Sequence, residues 1–366
     1  MSNTSSFRGM PCRTVGDSGL WVSEIGIGLW KWGYPEYDHS RVGEYLGFQI
    51  LDRALDLGVF HWDTAASYNA GSGNSERLLG RYFANRGRIV RDKIVLATKF
   101  ANHHREEHQL GPYPINDQDF TPNQCGGSRI YLMRELEHSL RKLCTDRIDL
   151  LYLHSPNVAT GGDTDWITPL DETWSAMDDM VSQGKVRYLG ISNHSPEQAR
   201  ATIEALKQVG KDSSRRIIAI QNCYNMAERS KLGSSEGVGE QEMLDFAAEY
   251  GISIIPYFPL AGGLLTGRYT KGNLDQVEGR LTTEAISGRF LTDKGLKLAA
   301  KVTAMAKQKK CSAAQLAIAW LLKRPMLASV IAGCTKLEHI DDNVGAVKVK
   351  LSKADIDELN KASAWS

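Results

Sequence analysis

RIYLMRELEHSLRKLCTDRIDLLYLH, residues Arg129–His154, holds one helical segment and one strand, and the way it ends decides the fold. In its first part Leu132, Leu136, Leu140 and Leu143 recur at helical spacing, which marks the buried face of a helix over Arg129–Leu143. In its second part Ile148-Asp-Leu-Leu-Tyr-Leu-His154 is a short apolar run that closes on a histidine. A run of that length with apolar residues on both faces reads as a strand buried on both sides, as in a parallel sheet.

The same unit recurs in both directions. Further strands are predicted at Ile25–Leu29, Val59–Asp63, Ile94–Lys99, Val186–Ile191, Ile217–Gln221, Ile252–Tyr257 and Ala328–Ile331. Helical patterns fill the gaps at Gly47–Leu57, Ser75–Ala84, Leu170–Gln183, Pro196–Gln208 and Gln241–Tyr250, and Ala313–Lys323 must stop before Pro325. Ser195-Pro-Glu-Gln198 supplies a hydroxyl N-cap, a first-turn proline and a capping-box glutamine. Gly58, Gly184 and Gly251 stand where helices should end. Alternating β and α units allow an open doubly wound sheet or a closed barrel, and eight in one run favour an α/β fold of the (β/α)8 TIM-barrel type. The expectation is one domain over residues 1–366, with an N-terminal hairpin at Cys12–Val22, turning at Gly16-Asp-Ser-Gly19, that plugs the barrel bottom.

Bulk properties exclude several classes. A chain of 366 residues with 42% hydrophobic and 24% charged residues has the composition of a soluble globular protein. Its net charge of +1 gives no electrostatic reason to expect nucleic acid or an anionic membrane as partner. There is no apolar stretch of membrane-spanning length, and the opening residues lack the apolar core of a signal peptide, so a cytoplasmic location is expected. Cys12, Cys125, Cys144, Cys223, Cys311 and Cys334 form no C-x-x-C pair and no zinc-type spacing, which points to reduced thiols and no metal.

Apolar strands that end on charged groups need a reason. Asp63, Lys99 and His154 end the second, third and fourth strands, and Tyr68 lies one short loop beyond Asp63. In a barrel all four converge on the C-terminal face, where βα loops build sites. Together they suit the reduction of a carbonyl, which needs a hydride from a cofactor and a proton for the developing alkoxide. A phenol with a pKa near ~10 is a reluctant donor, and a nearby ammonium lowers that pKa by stabilising the phenolate. Tyr68 is therefore expected to be the acid/base, Lys99 its tuner, Asp63 the lysine's partner and His154 the group that polarises and orients the carbonyl. A structural ion pair beside packed rings accounts for any one of these residues, but poorly for all four at successive strand ends.

Phe60-His-Trp-Asp-Thr-Ala-Ala-Ser-Tyr68, Gly73-Asn-Ser-Glu-Arg-Leu-Leu-Gly80, Ala97-Thr-Lys99 and Leu150-Leu-Tyr-Leu-His154 resemble the signatures of the aldo-keto reductases, with the catalytic tetrad in register. The resemblance runs from Ile25 to about Val347 and implies a nicotinamide cofactor. It assigns Ser192, Asn193 and Gln221 to the nicotinamide carboxamide, Tyr257 to stacking on its ring and Trp30 to a contact near the ribose. Pro259-Leu-Ala-Gly-Gly-Leu-Leu-Thr-Gly-Arg268 resembles the turn that wraps the pyrophosphate, with Pro259, Leu260, Ala261, Gly262, Leu264, Gly267 and Arg268 as its contacts. Small residues that let backbone amides approach phosphate, completed by a cation, agree with that role. Gly333-Cys-Thr-Lys-Leu-Glu-His-Ile-Asp-Asp-Asn343 resembles the part that holds the adenosine end, through Gly333, Thr335, Lys336, His339, Asp342 and Asn343.

Better-known members carry lysine where this chain has Gly333, and carry at His339 an arginine that faces the 2′-phosphate of NADP. The glycine, and the stretch Ile252–Lys271, are similar to the branch with potassium-channel β subunits and bacterial sugar- or inositol-associated oxidoreductases. Thr335, Lys336 and Arg280 can still serve a phosphate, so NADP(H) is expected, with NAD(H) use left open. Trp32, Tyr34 and His103 are candidates for the substrate wall, the last within the long loop Ala101–Gly127. A second long loop, Gly272–Gly288, faces the same side. The implied function is reversible reduction of aldehydes or sugar-type carbonyls, with a small-molecule partner and homo-oligomer formation undecided. The alternative is a nicotinamide-binding regulatory subunit that turns over slowly and acts through protein contacts.

Overall fold

A computed structural model of the chain describes residues 5–38, 40–69, 72–100, 123, 126–156, 168–209, 217–229, 239–283 and 287–365. Three short antiparallel strands come first: β1 (Ser5–Phe7), β2 (Met10–Thr14) and β3 (Trp21–Ser23), in the order β1-β2-β3. Eight parallel strands follow: β4 (Ile25–Gly28), β5 (His61–Asp63), β6 (Val95–Phe100), β7 (Ile148–Leu153), β8 (Val186–Ser192), β9 (Ile217–Gln221), β10 (Ser253–Ile254) and β11 (Val330–Gly333). Their order is β10-β9-β8-β7-β6-β5-β4-β11, each strand lying beside its sequence neighbour except where β11 returns to β4. The remaining seam closes through a parallel bridge between Ile254 and Leu327, with Ile254 N donating to Met326 O at 2.8 Å and Ile331 N to Pro256 O at 2.9 Å. This is a (β/α)8 barrel.

Strand parity divides the core in two. Along β7, Leu151 and Leu153 point outward into the layer under the helices, while Leu150 and Tyr152 point inward with Ala97, Ala219, Ile255 and Ala328. Val15 and Val22 belong to that inner cluster, so the N-terminal strands plug the bottom as expected. The hairpin is larger than the sequence suggests, because β1 adds a third strand. Gly58 explains the addition: with φ at +80°, a Cβ there would stand 2.1 Å from Phe7 O.

The helices form where the pattern places them, at Glu44–Asp56, Asn74–Arg86, Arg129–Lys142, Leu170–Ser182, Pro196–Val209, Glu240–Tyr250 and Ala313–Leu322. The Ser195 capping box is present, with Ser195 N donating to Gln198 Oε1 at 2.9 Å and Gln198 N to Ser195 Oγ at 3.2 Å. Gly58, Gly184 and Gly251 all take the left-handed conformation that ends a helix. Two expectations differ. The seventh barrel strand is only Ser253–Ile254, because Pro256 has no amide to donate and the ladder becomes irregular before Tyr257. Within the loop read as Gly272–Gly288, short helices occupy Arg280–Thr283 and Ser287–Phe290, and a long helix follows at Asp293–Gln308.

A close approach behind the mouth of the barrel depends on a missing side chain. Gly80 lets the helix that begins behind Tyr68 seat against the end of Arg129–Lys142, where an added Cβ would come within 1.9 Å of Lys142 O. Gly80→Ala should therefore destabilise the fold by roughly 1–3 kcal/mol, the usual range for overpacking a tight contact. Urea denaturation checks this, and an unchanged midpoint would contradict the packing.

Candidate active site

The inner parity that carries Ala97 also carries Lys99, and that of His61 carries Asp63, that of Ala219 carries Gln221 and that of Tyr152 carries His154. Each is the last inward position of its strand or lies just past it, so four polar groups reach the C-terminal mouth on a layer of apolar side chains. Lys99 Nζ donates to Asp63 Oδ1 at 2.6 Å, to Thr64 O at 2.8 Å and to Tyr68 Oη at 3.0 Å. Asp63 Oδ2 accepts from Gln221 Nε2 at 2.8 Å. Lys99 and Asp63 are both buried, so the ion pair lies away from solvent and every contact within it is charge-assisted. The His154 ring stands edge-on to Tyr68, centroid to centroid 6.2 Å, with Nδ1 3.4 Å from Ser67 Oγ.

Second contacts hold this group in place. Asn69, at φ +57°, donates through Nδ2 to Trp32 O at 2.6 Å, fixing the loop that bears Tyr68 to the loop after β4. Glu76, fully buried, accepts from Thr98 Oγ1 at 2.7 Å and Ser139 Oγ at 3.2 Å and pairs with Lys142 at 2.9 Å. It braces the outward face of the strand that carries Lys99. Sequence reasoning gave neither residue a role, although Asn69 directly follows the signature tyrosine and Glu76 lies within the signature stretch Gly73–Gly80.

Electrostatics depart from the expectation for Tyr68. Burial, then the Asp63 carboxylate, hold its phenol well above its ordinary value rather than below it. Burial pulls the Lys99 ammonium down, against the opposing pull of Asp63. In this state Tyr68 firmly holds its proton, and the ammonium 3.0 Å away does not outweigh desolvation.

A cleft of about 1520 Å³ opens over this group and runs to the start of the helix Leu337–Gly345. Asp63, Tyr68 and His154 line one end, and Gly333, Thr335, Lys336, His339, Asp342 and Asn343 the other. Trp30, Ser192, Asn193, Gln221, Tyr257, Pro259, Leu260, Gly262, Arg268 and Arg280 line the cleft too. Tyr257 is held by donation to Asn193 Oδ1 at 2.7 Å; Asn193, at φ +62°, donates through Nδ2 to His154 O at 2.9 Å; Ser192 Oγ donates to Gln221 O at 2.7 Å. Thr335 N donates to His339 Nδ1 at 3.3 Å, and burial lowers the pKa of His339.

Some candidates sit elsewhere. The side chains of Ala261 and Leu264 are in the core, and Gly267 lies against Thr303. The Arg280 guanidinium stands over the rings of Trp30, at 4.4 Å, and Phe258, at 4.9 Å, which puts it on the Tyr68 side of the turn. Trp32 lines the cleft edge and donates through Nε1 to Cys334 O at 2.9 Å, whereas the Tyr34 ring packs under Arg81. His103 and most of Ala101–Gly127 lie outside the described residues. Among the described residues no cluster has the make-up of a metal site, and no helix is long and apolar enough to cross a membrane.

The barrel thus carries a large cleft over a buried tyrosine–lysine–aspartate group. The chain belongs to the aldo/keto reductase family, whose model matches residues 24–364. It is 30% identical over 353 residues to L-glyceraldehyde 3-phosphate reductase of Escherichia coli (strain K12), covering 95% of this chain and 90% of that one. It is 28% identical over 355 residues to versiconal hemiacetal acetate reductase of Aspergillus parasiticus, 95% of each chain. A probable voltage-gated potassium channel subunit beta of Oryza sativa subsp. japonica is 30% identical over 346 residues, 93% of this chain and 92% of that one. The family and its reductase relatives support an oxidoreductase of carbonyl compounds, and its members generally use nicotinamide cofactors.

Two histidines of the barrel make a pH prediction. Burial lowers the pKa of His61 and of His194 from 6.5 to about 4. A base whose folded pKa lies below its unfolded value binds more protons when unfolded, so its stabilisation is complete above pH 6.5 and is lost as pH falls towards 4. Each histidine can account for up to ~3 kcal/mol of that loss. Denaturant melts of His61→Asn and His194→Asn should show a flatter fall than the parent between pH 6.5 and 4. Parallel slopes would contradict buried neutral imidazoles.

Proposed function

We propose that this chain is a single-domain, NAD(P)H-dependent reductase of aldehydes and sugar-type carbonyls, acting in the cytoplasm with Tyr68 as general acid. The observation that carries the reading is the unbroken contact from Asp63 through Lys99 Nζ to Tyr68 Oη at the floor of the cleft. A nicotinamide bound in the cleft would supply the hydride. The cleft suits such a cofactor on three grounds. It is large and elongated, its middle turns through left-handed Ala261, Gly262 and Gly263, and space is open above Gly333, where an added Cβ would meet nothing within 4 Å. Tyr257, Asn193, Ser192 and Gln221 would hold the nicotinamide, Pro259–Arg268 with Arg280 the pyrophosphate, and Thr335–Asn343 the adenosine. Lys336, beside Thr335 at the adenosine end of the cleft, supports NADP(H) over NAD(H).

Tyr68 Oη delivers its proton to the carbonyl oxygen as negative charge grows there. The raised pKa keeps that proton in place until the developing alkoxide makes its transfer favourable. Lys99 then stabilises the phenolate left behind, and Asp63 keeps the ammonium charged against its burial. His154 faces the same oxygen from the side and orients the substrate. Trp30, Tyr257 and Phe258 wall the site and exclude water.

Absorbance at about 340 nm, where reduced nicotinamide absorbs, with a panel of aldehydes and with NADPH and NADH used separately, tests the reading. Turnover is expected, faster with NADPH. Tyr68→Phe should lower kcat by at least ~100-fold, the usual contribution of a positioned acid. Full activity in that variant would remove Tyr68 from the mechanism, and no turnover with tightly retained cofactor would favour the regulatory-subunit reading.

A further inference from the structure

The strand parity that turns Asp63 and Lys99 into the cleft turns their neighbours towards the helices. On β6, Leu96 and Phe100 lie in the outer apolar layer, and Thr98 stands between them with the same parity. Thr64, the residue after Asp63, extends the ladder by donating its amide to Ala97 O at 2.9 Å. Both threonines are fully buried, and both meet the first turn of the helix Asn74–Arg86 at adjoining residues, Ser75 and Glu76, which are fully buried too. We infer that Ser75 and Glu76 are positioning residues for proton delivery: by holding the hydroxyls of Thr64 and Thr98 they set where Lys99 Nζ stands between Asp63, Thr64 O and Tyr68. This rests on the reductase reading above.

The hydrogen bonds run in one direction. Ser75 Oγ donates to Leu29 O at 2.9 Å, which occupies its single proton, so in the 2.7 Å contact between the two hydroxyls Thr64 Oγ1 is the donor. Thr98 Oγ1 donates to Glu76 Oε1 at 2.7 Å, and Glu76 Oε2 takes Ser139 Oγ at 3.2 Å and Lys142 Nζ at 2.9 Å. The carboxylate is thereby fixed from β6 on one side and from the helix Arg129–Lys142 on the other. Gly73, at φ +66°, makes room for this, because a Cβ there would stand 2.9 Å from Lys142 Nζ.

Apolar side chains of the same shape would fill this layer at little cost in stability, as Leu96 and Phe100 do on either side. What hydroxyls and a carboxylate add is direction. Lys99 has a long flexible stem, and its three ammonium protons meet Asp63, Thr64 O and the Tyr68 phenol. The backbone between Asp63 and Tyr68 is bonded to β6 twice, from Thr64 N to Ala97 O and from Ala66 N to Lys99 O, each at 2.9 Å. A shift of one strand end against the other therefore moves the ammonium relative to the phenol, and productive geometry must hold to about 0.5 Å. Charge acts in the same sense. Burial pulls the Lys99 ammonium down, and Asp63, then Glu76, oppose that pull; Tyr68, Tyr152 and His61 also stand near Lys99. Glu76 itself faces Lys142, which pairs with Glu135 as well.

Steady-state kinetics with NADPH and the aldehyde that the parent reduces fastest test this. Thr98→Val keeps the shape and loses the hydroxyl, Ser75→Ala removes the acceptor of Thr64, and Glu76→Gln keeps the shape and loses the charge. Each should lower kcat by ~10-fold or more, with KM and the NADPH Kd from fluorescence within about twofold of the parent. Thr98→Ser, which keeps the hydroxyl, should hold kcat within about threefold of the parent. The alkaline limb of kcat should move to lower pH in Glu76→Gln, by roughly half a unit or more, because the ammonium loses a supporting charge, and should move less in Thr98→Val, which keeps that charge. Where Glu76→Gln fails to fold, the two Thr98 variants decide. Lowered urea midpoints with kcat and the alkaline limb unchanged would make the contacts merely structural and overturn the inference. So would a loss confined to KM or to the NADPH Kd, or a Thr98→Ser variant as slow as Thr98→Val. Absence of turnover in the parent would instead overturn the reductase reading, and this inference with it.

Discussion

The site depends on one buried contact, the ion pair between Lys99 and Asp63. Removing two charges from water costs several kcal/mol per ion, and the cost is recovered only where the geometry is good and the remaining lone pairs and protons are satisfied. Here they are: Nζ makes three contacts, to Asp63, Thr64 O and Tyr68, and the second carboxylate oxygen takes Gln221. The barrel supplies what that arrangement demands. Neighbouring strands β5 and β6 present the two charges on their inner face, and β9 brings the amide from across the barrel. Around the pair the packing is apolar below and aromatic above, which sets the directions in which Tyr68 and Lys99 are displaced from their ordinary pKa values.

Much of this could be read from the chain. A run such as Ile148–His154 announces both its burial and the place where burial ends, and parity within the strand then carries Lys99 and Asp63 to the same inner face. The local signals of Ser195–Gln198, Gly58, Gly184 and Gly251 depend only on backbone chemistry and appear where sequence places them. What escaped the reading depends on contacts between segments distant in the chain. The guanidinium of Arg280 rests on Trp30 because two loops meet over the cleft, and no spacing encodes that meeting. The strand around Pro256 is shorter than its apolar pattern because hydrogen-bond donors, not hydrophobicity, limit a ladder. The pKa of Tyr68 was expected to fall because a neighbouring ammonium is visible in sequence, whereas the depth of burial is not.

The cleft runs from Asp63, Tyr68 and His154 at one end to Thr335, Lys336 and His339 at the other. In the proposed reaction the first group meets the substrate and the second the cofactor, with Arg280 between them over Trp30. Left-handed Asn69, Asn193 and Phe258 all lie along the cleft, so the backbone takes on sparsely populated conformations where side chains must be aimed.

The central claim is that Lys99, held by Asp63, lets Tyr68 release its proton. Stopped-flow single turnover of Lys99→Met, loaded with NADPH and verified as folded by near-UV circular dichroism, tests it most directly. The account predicts hydride transfer slowed by at least ~100-fold with NADPH affinity nearly unchanged. A chemical step within about threefold of the parent rate, less than ~1 kcal/mol of barrier, would contradict it.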